Sequence, residues 1–302
     1  MKKEIVHKCL NGVRTSLLVW DNPFNSKGGD IIICVSGNPG VVDFYAEFGE
    51  ELHKRSSLPV CIIGQAGHEE MPGQEINSIE NHEYLFNLEG QIAHKLDLIT
   101  NCIDKKSKLH LIGHSIGAWQ IIELINKNPA LIQRISSINL LFPTIQNMAD
   151  SPNGKFLNNV LRRIHMIVLL LLQLIRMLPK CINIFLIRSY ILWHTFPSHY
   201  IHRIYKVLNP SVMEKVMFLA FDEMDTVINL NRDGIEKIKH LTNVIYSDSD
   251  QWAPLTYMED LKVYEPHLSL EEVRVCHAFV LKSSEIIAEK VSNFIGARLP
   301  LN

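Results

Sequence analysis

Between residues 151 and 213 the chain has no aspartate and no glutamate. The same stretch carries eight basic side chains, Lys155, Arg162, Arg163, Arg176, Lys180, Arg188, Arg203 and Lys206, so it is +8 in a chain whose net charge is −2. A local absence of acid on this scale points to a partner of negative charge. Other absences narrow the class further. With 30 basic and 32 acidic residues there is no global positive surplus, which argues against a nucleic-acid binder. The six cysteines, Cys9, Cys34, Cys61, Cys102, Cys181 and Cys276, include no CxxC pair, so neither a thiolate zinc site nor a disulfide framework is expected. The basic start, Met1-Lys2-Lys3, is followed by no apolar core, so a secretory signal is not expected and the cytosol is the expected compartment. There is no Walker loop, no dinucleotide-binding glycine motif after a strand and no HExxH, so no cofactor and no metal are implied.

What is present is material for one large core: 302 residues, 47% of them apolar. Short apolar runs alternate with helical patterns. Strands are expected at Ser16–Trp20, Ile31–Val35, Pro59–Gly64, Leu109–Ile112, Ile135–Phe142, Thr242–Tyr246 and Val273–Cys276. Helices are expected at Phe44–Leu52, Leu88–Cys102, Ile116–Ile125, Leu255–Val263 and Ser284–Ile295. This alternation predicts an α/β fold: a mostly parallel sheet with helices on both faces, in a single domain spanning 1–302. The acid-free region breaks the alternation between two strands, so residues 145–240 are expected to form an inserted helical cap.

Within that cap, Ile164 to Ile175 is twelve residues without a formal charge, closed by Arg176 and Pro179. A membrane span needs about 20 apolar residues, so this run is too short. A hairpin dipping into a membrane, or helices lying in its interface, fits better over about 156–196. Arg162, Arg163 and Arg176 would then meet anionic headgroups, while Leu169, Leu170, Leu171, Leu172 and Trp193 enter the acyl boundary. The competing reading is a buried helix of a soluble cap.

The strongest local signal is Gly113-His114-Ser115-Ile116-Gly117, preceded by a strand and followed by a helical run. G-x-S-x-G in this context is a nucleophile elbow. The chain turns sharply with serine at the apex, and only small residues fit two places before and after it. A serine hydroxyl needs a histidine base, and the histidine needs an orienting carboxylate. Among 14 histidines, His277 lies after the expected last strand and before the last helix, where the base belongs. The acid belongs in the loop after Thr242–Tyr246, where Asp248 and Asp250 compete and Asp250 is the better placed. The amide of Ile116 would donate to a developing oxyanion. The second donor falls in Gly37-Asn38-Pro39-Gly40, where Pro39 has no N–H and Asn38 is the candidate. Gln65-Ala66-Gly67-His68 follows another strand and is a weak candidate for the pocket border, with a plain turn the favoured reading.

These segments resemble one family, the lipid droplet-associated hydrolases. The likeness rests on Ser36-Gly37-Asn38-Pro39-Gly40 with Phe44-Tyr45, on the elbow, and on Leu141-Phe142-Pro143-Thr144-Ile145 with Ser151-Pro152-Asn153-Gly154. It extends to Asp250-Gln251-Trp252-Ala253-Pro254 and His277-Ala278-Phe279-Val280. The resemblance implies an α/β-hydrolase fold, Ser115 as nucleophile, Asp250 as acid and His277 as base. It also implies a lipid ester substrate, sterol esters above all, and residence on lipid droplets and the cytosolic face of the endoplasmic reticulum. One departure is Gln251 and Ala253, where a glycine and a cysteine are more familiar. Two other readings stay open: a largely non-catalytic protein of the droplet surface, and an acyltransferase.

Overall fold

A computed structural model gives the structure of the chain and describes residues 3–70 and 78–299. Eight strands build one sheet: β1 Lys3–Leu10, β2 Val13–Trp20, β3 Ile31–Val35, β4 Val60–Ile63, β5 Leu109–His114, β6 Ile135–Leu141, β7 Thr242–Tyr246 and β8 Ser269–Glu272. Their order is β1-β2-β4-β3-β5-β6-β7-β8. β2 is antiparallel to both neighbours, and from β4 to β8 every pairing is parallel. Between the strands run α1 Ala46–Ser56, α2 Glu83–Phe86, α3 Leu88–Asp97, α4 Ile116–Lys127, α5 Pro152–Phe156, α6 Arg162–Met177, α7 Lys180–Trp193, α8 Tyr200–Val207, α9 Pro210–Thr226, α10 Arg232–Ile238, α11 Leu255–Met258 and α12 Ser284–Gly296.

β3, β4, β5 and β7 are buried at every position, the mark of strands covered on both faces. One face packs Ile33, Leu111 and Leu140 against α4 and α10. The other packs Cys34, Ile112 and Ile245 against α1 and α12. α4 itself is almost wholly buried between sheet and neighbouring helices.

Two strands depart from the sequence reading. The last strand is Ser269–Glu272, not Val273–Cys276. It is an edge strand with no buried residue, so no apolar pattern marks it, whereas Val273 and Val275 are buried in the loop beyond it. β1 was not expected at all. It too is an edge strand, and only Leu10 of its eight residues is buried.

The insertion between β6 and β7 also divides differently. α5 to α9 form the helical excursion, but α10 packs on α4. A Cβ on Gly234 would lie 2.7 Å from Ile122 Cγ2, and Ile235 and Ile238 sit in the main core. The last part of 145–240 therefore belongs to the layer flanking the sheet. Among the described residues no helix is long and apolar enough to cross a membrane. α6 and α7, of 16 and 14 residues, follow one another in the insertion.

Candidate active site

The loops after β3, β5, β6, β7 and β8 all emerge at the same edge of the sheet, the carboxyl end of the parallel strands, where α/β sheets place their ligands. Ser115 follows β5 directly. Its backbone has φ 54° and ψ −122°, a conformation that an L residue holds only when its surroundings impose it. Here they do. The Ser115 N–H donates to Leu141 O at 2.9 Å, and its carbonyl accepts from Ala118 N–H at 3.0 Å. The two glycines of the motif have steric causes. A Cβ on Gly113 would stand 2.7 Å from the Ala118 backbone, and one on Gly117 would stand 2.6 Å from Val35 O.

Three expected side chains meet in a hydrogen-bonded line. His277 Nε2 lies 2.9 Å from Ser115 Oγ, and His277 Nδ1 lies 2.7 Å from Asp250 Oδ2. An ionised Asp250 only accepts, so Nδ1 carries the ring proton and Nε2 is left to accept from the serine. Asp250 is buried. Its second oxygen accepts from the Trp252 N–H at 2.8 Å and the Ala253 N–H at 3.1 Å, which fixes the carboxylate plane. Asp248, its competitor in the sequence, is exposed. Buried His110 bonds Ser137 Oγ at 2.8 Å and Asp30 at 3.1 Å.

The loop after β3 faces the serine. A Cβ on Gly37 would stand 3.0 Å from Ser115 Cβ, tighter than an ordinary contact, so glycine eases this approach. Asn38 lines the same pocket, and Ile116 is the first residue of α4, whose N-terminal N–H groups lack partners within the helix. Gln65–His68 forms a turn, the reading the sequence favoured over a pocket border, and does not line the pocket. It braces this loop from behind: Gln65 Nε2 donates to Ser36 O at 2.7 Å, and the Gly40 N–H donates to His68 Nδ1 at 3.0 Å. Burial lowers the His68 pKa to about 3 and keeps it the neutral acceptor that this bond needs.

The parts that three residues play in the site were not read from the sequence. His114 Nε2 lies 3.0 Å from His277 O, which can only accept, so the proton sits on Nε2 and Nδ1 is an acceptor. Tyr45 O–H fills that place at 2.6 Å, and its oxygen in turn accepts from the Gly37 N–H at 2.7 Å. One chain of bonds thus ties the loop after β3 to the backbone of His277. Burial, then the nearby His277, lowers the His114 pKa to about 3, and burial pushes the Tyr45 phenol well up, so both stay neutral. The third is Glu223 on α9. It is buried in the pocket wall and accepts from Asn38 Nδ2 at 3.0 Å, and burial pushes its carboxyl up to about 8. No local motif marks it, since its partner lies 185 residues away.

The cavity over Ser115 is about 340 Å³ and is lined in part by Met213, Met217 and Phe221 of α9. Beyond it, the outer faces of α6 and α7 leave apolar side chains in the open. Leu170 and Leu171 are 55% and 52% exposed and Trp193 86%, with Met166, Ile167, Leu174 and Phe185 beside them. Leu169 is half-buried, and Leu172 is buried because a 16-residue helix on the surface turns one side inward. Leu172 therefore drops out of the outward face. The basic excess is smaller than its count. Arg162 is held by Asp225 at 2.8 Å, Arg203 by Glu47 at 2.6 Å, Arg176 by Glu70 at 3.8 Å, and Lys206 by Asp43. Among the described residues Lys155, Arg163, Lys180 and Arg188 have no carboxylate partner, and all four are exposed.

Comparison with known proteins agrees with this architecture. The model of one family, described as lipid-droplet associated hydrolase, matches residues 29–280. The lipid droplet-associated hydrolase of Drosophila melanogaster is 36% identical over 297 residues, covering 95% of this chain and 96% of that protein. The Rattus norvegicus protein of the same name is 32% identical over 309 residues, covering 96% and 94%. Among solved structures, a bacterial membrane phospholipase A superposes with a TM-score of 0.69 at 14% identity, over 99% of this chain and 87% of that one. The 2-hydroxy-6-oxo-6-phenylhexa-2,4-dienoate hydrolase of Rhodococcus sp. strain RHA1 does so at 0.63 and 16%, over 98% and 100%. These two likenesses establish the α/β-hydrolase fold.

Proposed function

The chain belongs to the lipid-droplet associated hydrolases, and from that premise we propose that it is a serine hydrolase of lipid esters working at the droplet surface. The observation that carries this reading is the line Ser115–His277–Asp250 opening into an apolar pocket. His277 takes the Ser115 proton as Oγ attacks the ester carbonyl carbon, and Asp250 holds the resulting imidazolium. The N–H groups of Asn38 and Ile116 receive the oxyanion, a contribution of roughly 3–4 kcal/mol per donor in related sites. The tetrahedral intermediate collapses, and the alcohol leaves with the proton from His277. Water, deprotonated by the same histidine, then cleaves the acyl-enzyme. Sterol esters and glycerol esters are the substrate classes that suit an apolar pocket next to a lipid surface.

α5 to α9 act as the cap. The exposed face of α6 and α7 enters the acyl boundary through Leu170, Leu171 and Trp193, while Arg163, Lys180 and Arg188 meet anionic headgroups. On this reading the enzyme works on lipid droplets and on the cytosolic leaflet of the endoplasmic reticulum. Acyl transfer differs only in what attacks the acyl-enzyme, a lipid alcohol in place of water.

Fluorophosphonate labelling of purified wild type and Ser115→Ala, with and without lipid emulsion, tests the reading. We expect labelling that disappears in Ser115→Ala and rises with emulsion. Folded wild type that stays unlabelled in both conditions overturns the enzyme and favours a droplet-surface role carried by the α6–α7 face alone, which needs no working serine.

A further inference from the structure

Building on the Ser115 chemistry proposed above, we infer that Glu223 is a positioning residue: from α9 of the insertion it holds the Asn38 side chain and so sets the Asn38 N–H as an oxyanion donor.

The loop after β3 offers few amides for that task. The Gly37 N–H is taken by the Tyr45 oxygen at 2.7 Å. Pro39 has no N–H. The Gly40 N–H is taken by His68 Nδ1 at 3.0 Å. The Asn38 N–H has no acceptor among the described residues, and Asn38 lines the cavity over Ser115. By elimination, the amide free to meet an oxyanion belongs to Asn38.

The core holds the loop on either side of that residue. Ser36 O accepts from Gln65 Nε2 at 2.7 Å, so the Ser36–Gly37 peptide is gripped at its oxygen and at its N–H. Gln65 is itself fixed, because its Oε1 accepts from Lys95 Nζ at 2.7 Å and from Gln120 Nε2 at 3.0 Å. The Gly40 carbonyl accepts from the Gln65 N–H at 3.1 Å. None of these bonds reaches Asn38.

The Asn38 side chain is held from the insertion instead. The insertion has an apolar cavity of its own, about 510 Å³ among α6, α7 and α8, but α9 is the helix that grips this loop. Asn38 Nδ2 donates to Val216 O at 3.1 Å and to Glu223 Oε1 at 3.0 Å. Val216 O can only accept, so the amide is oriented with Nδ2 toward α9 and both its hydrogens are used. Val216 and Glu223 are two helical turns apart and share the face of α9 that lines the cavity. Glu223 is 4% exposed, and a carboxyl is costly to bury without a partner. Among the described residues its one hydrogen-bond partner is Asn38. Burial raises its pKa to about 8, so near neutral pH it holds Asn38 while mostly uncharged, in a pocket where an oxyanion forms.

Transition-state and ground-state binding can be read separately. Ser115 Oγ adds to the carbonyl carbon of an alkyl trifluoromethyl ketone, the serine proton passes to His277, and the ketone oxygen becomes a hemiketal alkoxide in the place of the oxyanion. The matching carbinol fills the same pocket and cannot be attacked. With a short-chain ester, Glu223→Met, which removes the acceptor and keeps the size, should lower kcat about 30-fold and leave KM within about twofold. Its Ki for the ketone should rise by about the same factor, and that for the carbinol should stay within about twofold. Glu223→Gln, whose amide oxygen still accepts from Asn38, should return kcat to within about threefold of wild type at pH 7. Asn38→Ala keeps the backbone N–H but releases α9, so it should match Glu223→Met, and the double variant should lose no more than either alone. If Glu223→Met does not fold, the ketone-to-carbinol ratio of Asn38→Ala decides. Any one of these results overturns the inference: wild-type kcat in Glu223→Met, a Glu223→Gln as slow as Glu223→Met, losses that multiply in the double variant, or ketone and carbinol weakened alike. A wild type that neither turns over the ester nor takes fluorophosphonate ends the reading of Ser115 as well, whereas a working wild type beside a working Glu223→Met ends this inference alone.

Discussion

The surroundings of Ser115 and the outer face of α6 and α7 are built on opposite rules. At the first, Ser115, His277, Asp250, His114 and Tyr45 are largely or wholly shielded from water and bonded to one another. At the second, leucine, methionine, phenylalanine and tryptophan side chains stand in the open beside unpaired basic ones. A polar network in a core must be complete, because each missing partner costs about 1–3 kcal/mol. An apolar face in water carries the reverse debt, and a continuous one marks a surface that meets something else. Position is fixed in the first region and association is prepared in the second, so the two should be separable by mutation.

The largest expected effect is on rate. His277→Ala removes the base and should lower ester turnover by roughly 10⁴-fold or more, with binding to lipid emulsion unchanged in a flotation assay. Loss of flotation as well would mean that the two regions fold as one. The intermediate effect lies on the other side. Leu170→Asp combined with Leu174→Asp places charge on the exposed face and should weaken partitioning to emulsion by about 100-fold. Turnover of a water-soluble short-chain ester should stay within about twofold, since neither residue lines the Ser115 cavity. If that turnover collapses, the face is part of the catalytic structure.

The smallest effect sharpens the boundary, because Glu223 belongs to the insertion yet lines the pocket. Its ordinary value of 4.5 is raised to about 8 by burial, despite the bond from Asn38, which acts the other way. The folded chain therefore holds a proton that the unfolded chain releases above pH 4.5. The stability this contributes is full below that value, declines as pH rises, and is gone above about 8. Glu223→Gln cannot ionise. Urea unfolding should give wild type and variant similar stability near pH 4.5, with the variant gaining on the order of 3 kcal/mol by pH 8. Ionised Glu223 also opposes an oxyanion in the same pocket, so wild-type turnover should decline a few-fold above pH 8 while the variant declines less.

How much of this was legible depended on the range of the interaction that made it. The elbow is a local construction of five residues, so its strand, turn and helix could be read in order. The buried strands β3 and β7 ran where their β-branched patterns indicated. β1 and β8 were missed or misplaced because an edge strand has no need of buried residues, and pairing alone makes it a strand. Asp250 was preferred over Asp248 from its place in the loop, and in the structure Asp250 is buried and Asp248 exposed. Tyr45, His114 and Glu223 could not be picked out, since bonds across 69, 163 and 185 residues define their places. The charge of the insertion was counted correctly but halved in effect by carboxylates as remote as Glu47.

The sequence by itself determined the α/β order of elements, the serine, the histidine, and a segment both greasy and free of acid. These follow from short-range rules: steric limits in a turn, periodicity of apolar residues, and composition. Only the tertiary structure decided which bonds lock the loop beside Ser115, which leucines look outward, and that the insertion holds a cavity of its own. Each of those depends on where distant segments meet. Burial, unpaired polar atoms and enclosed volume exist only after the chain has folded back on itself.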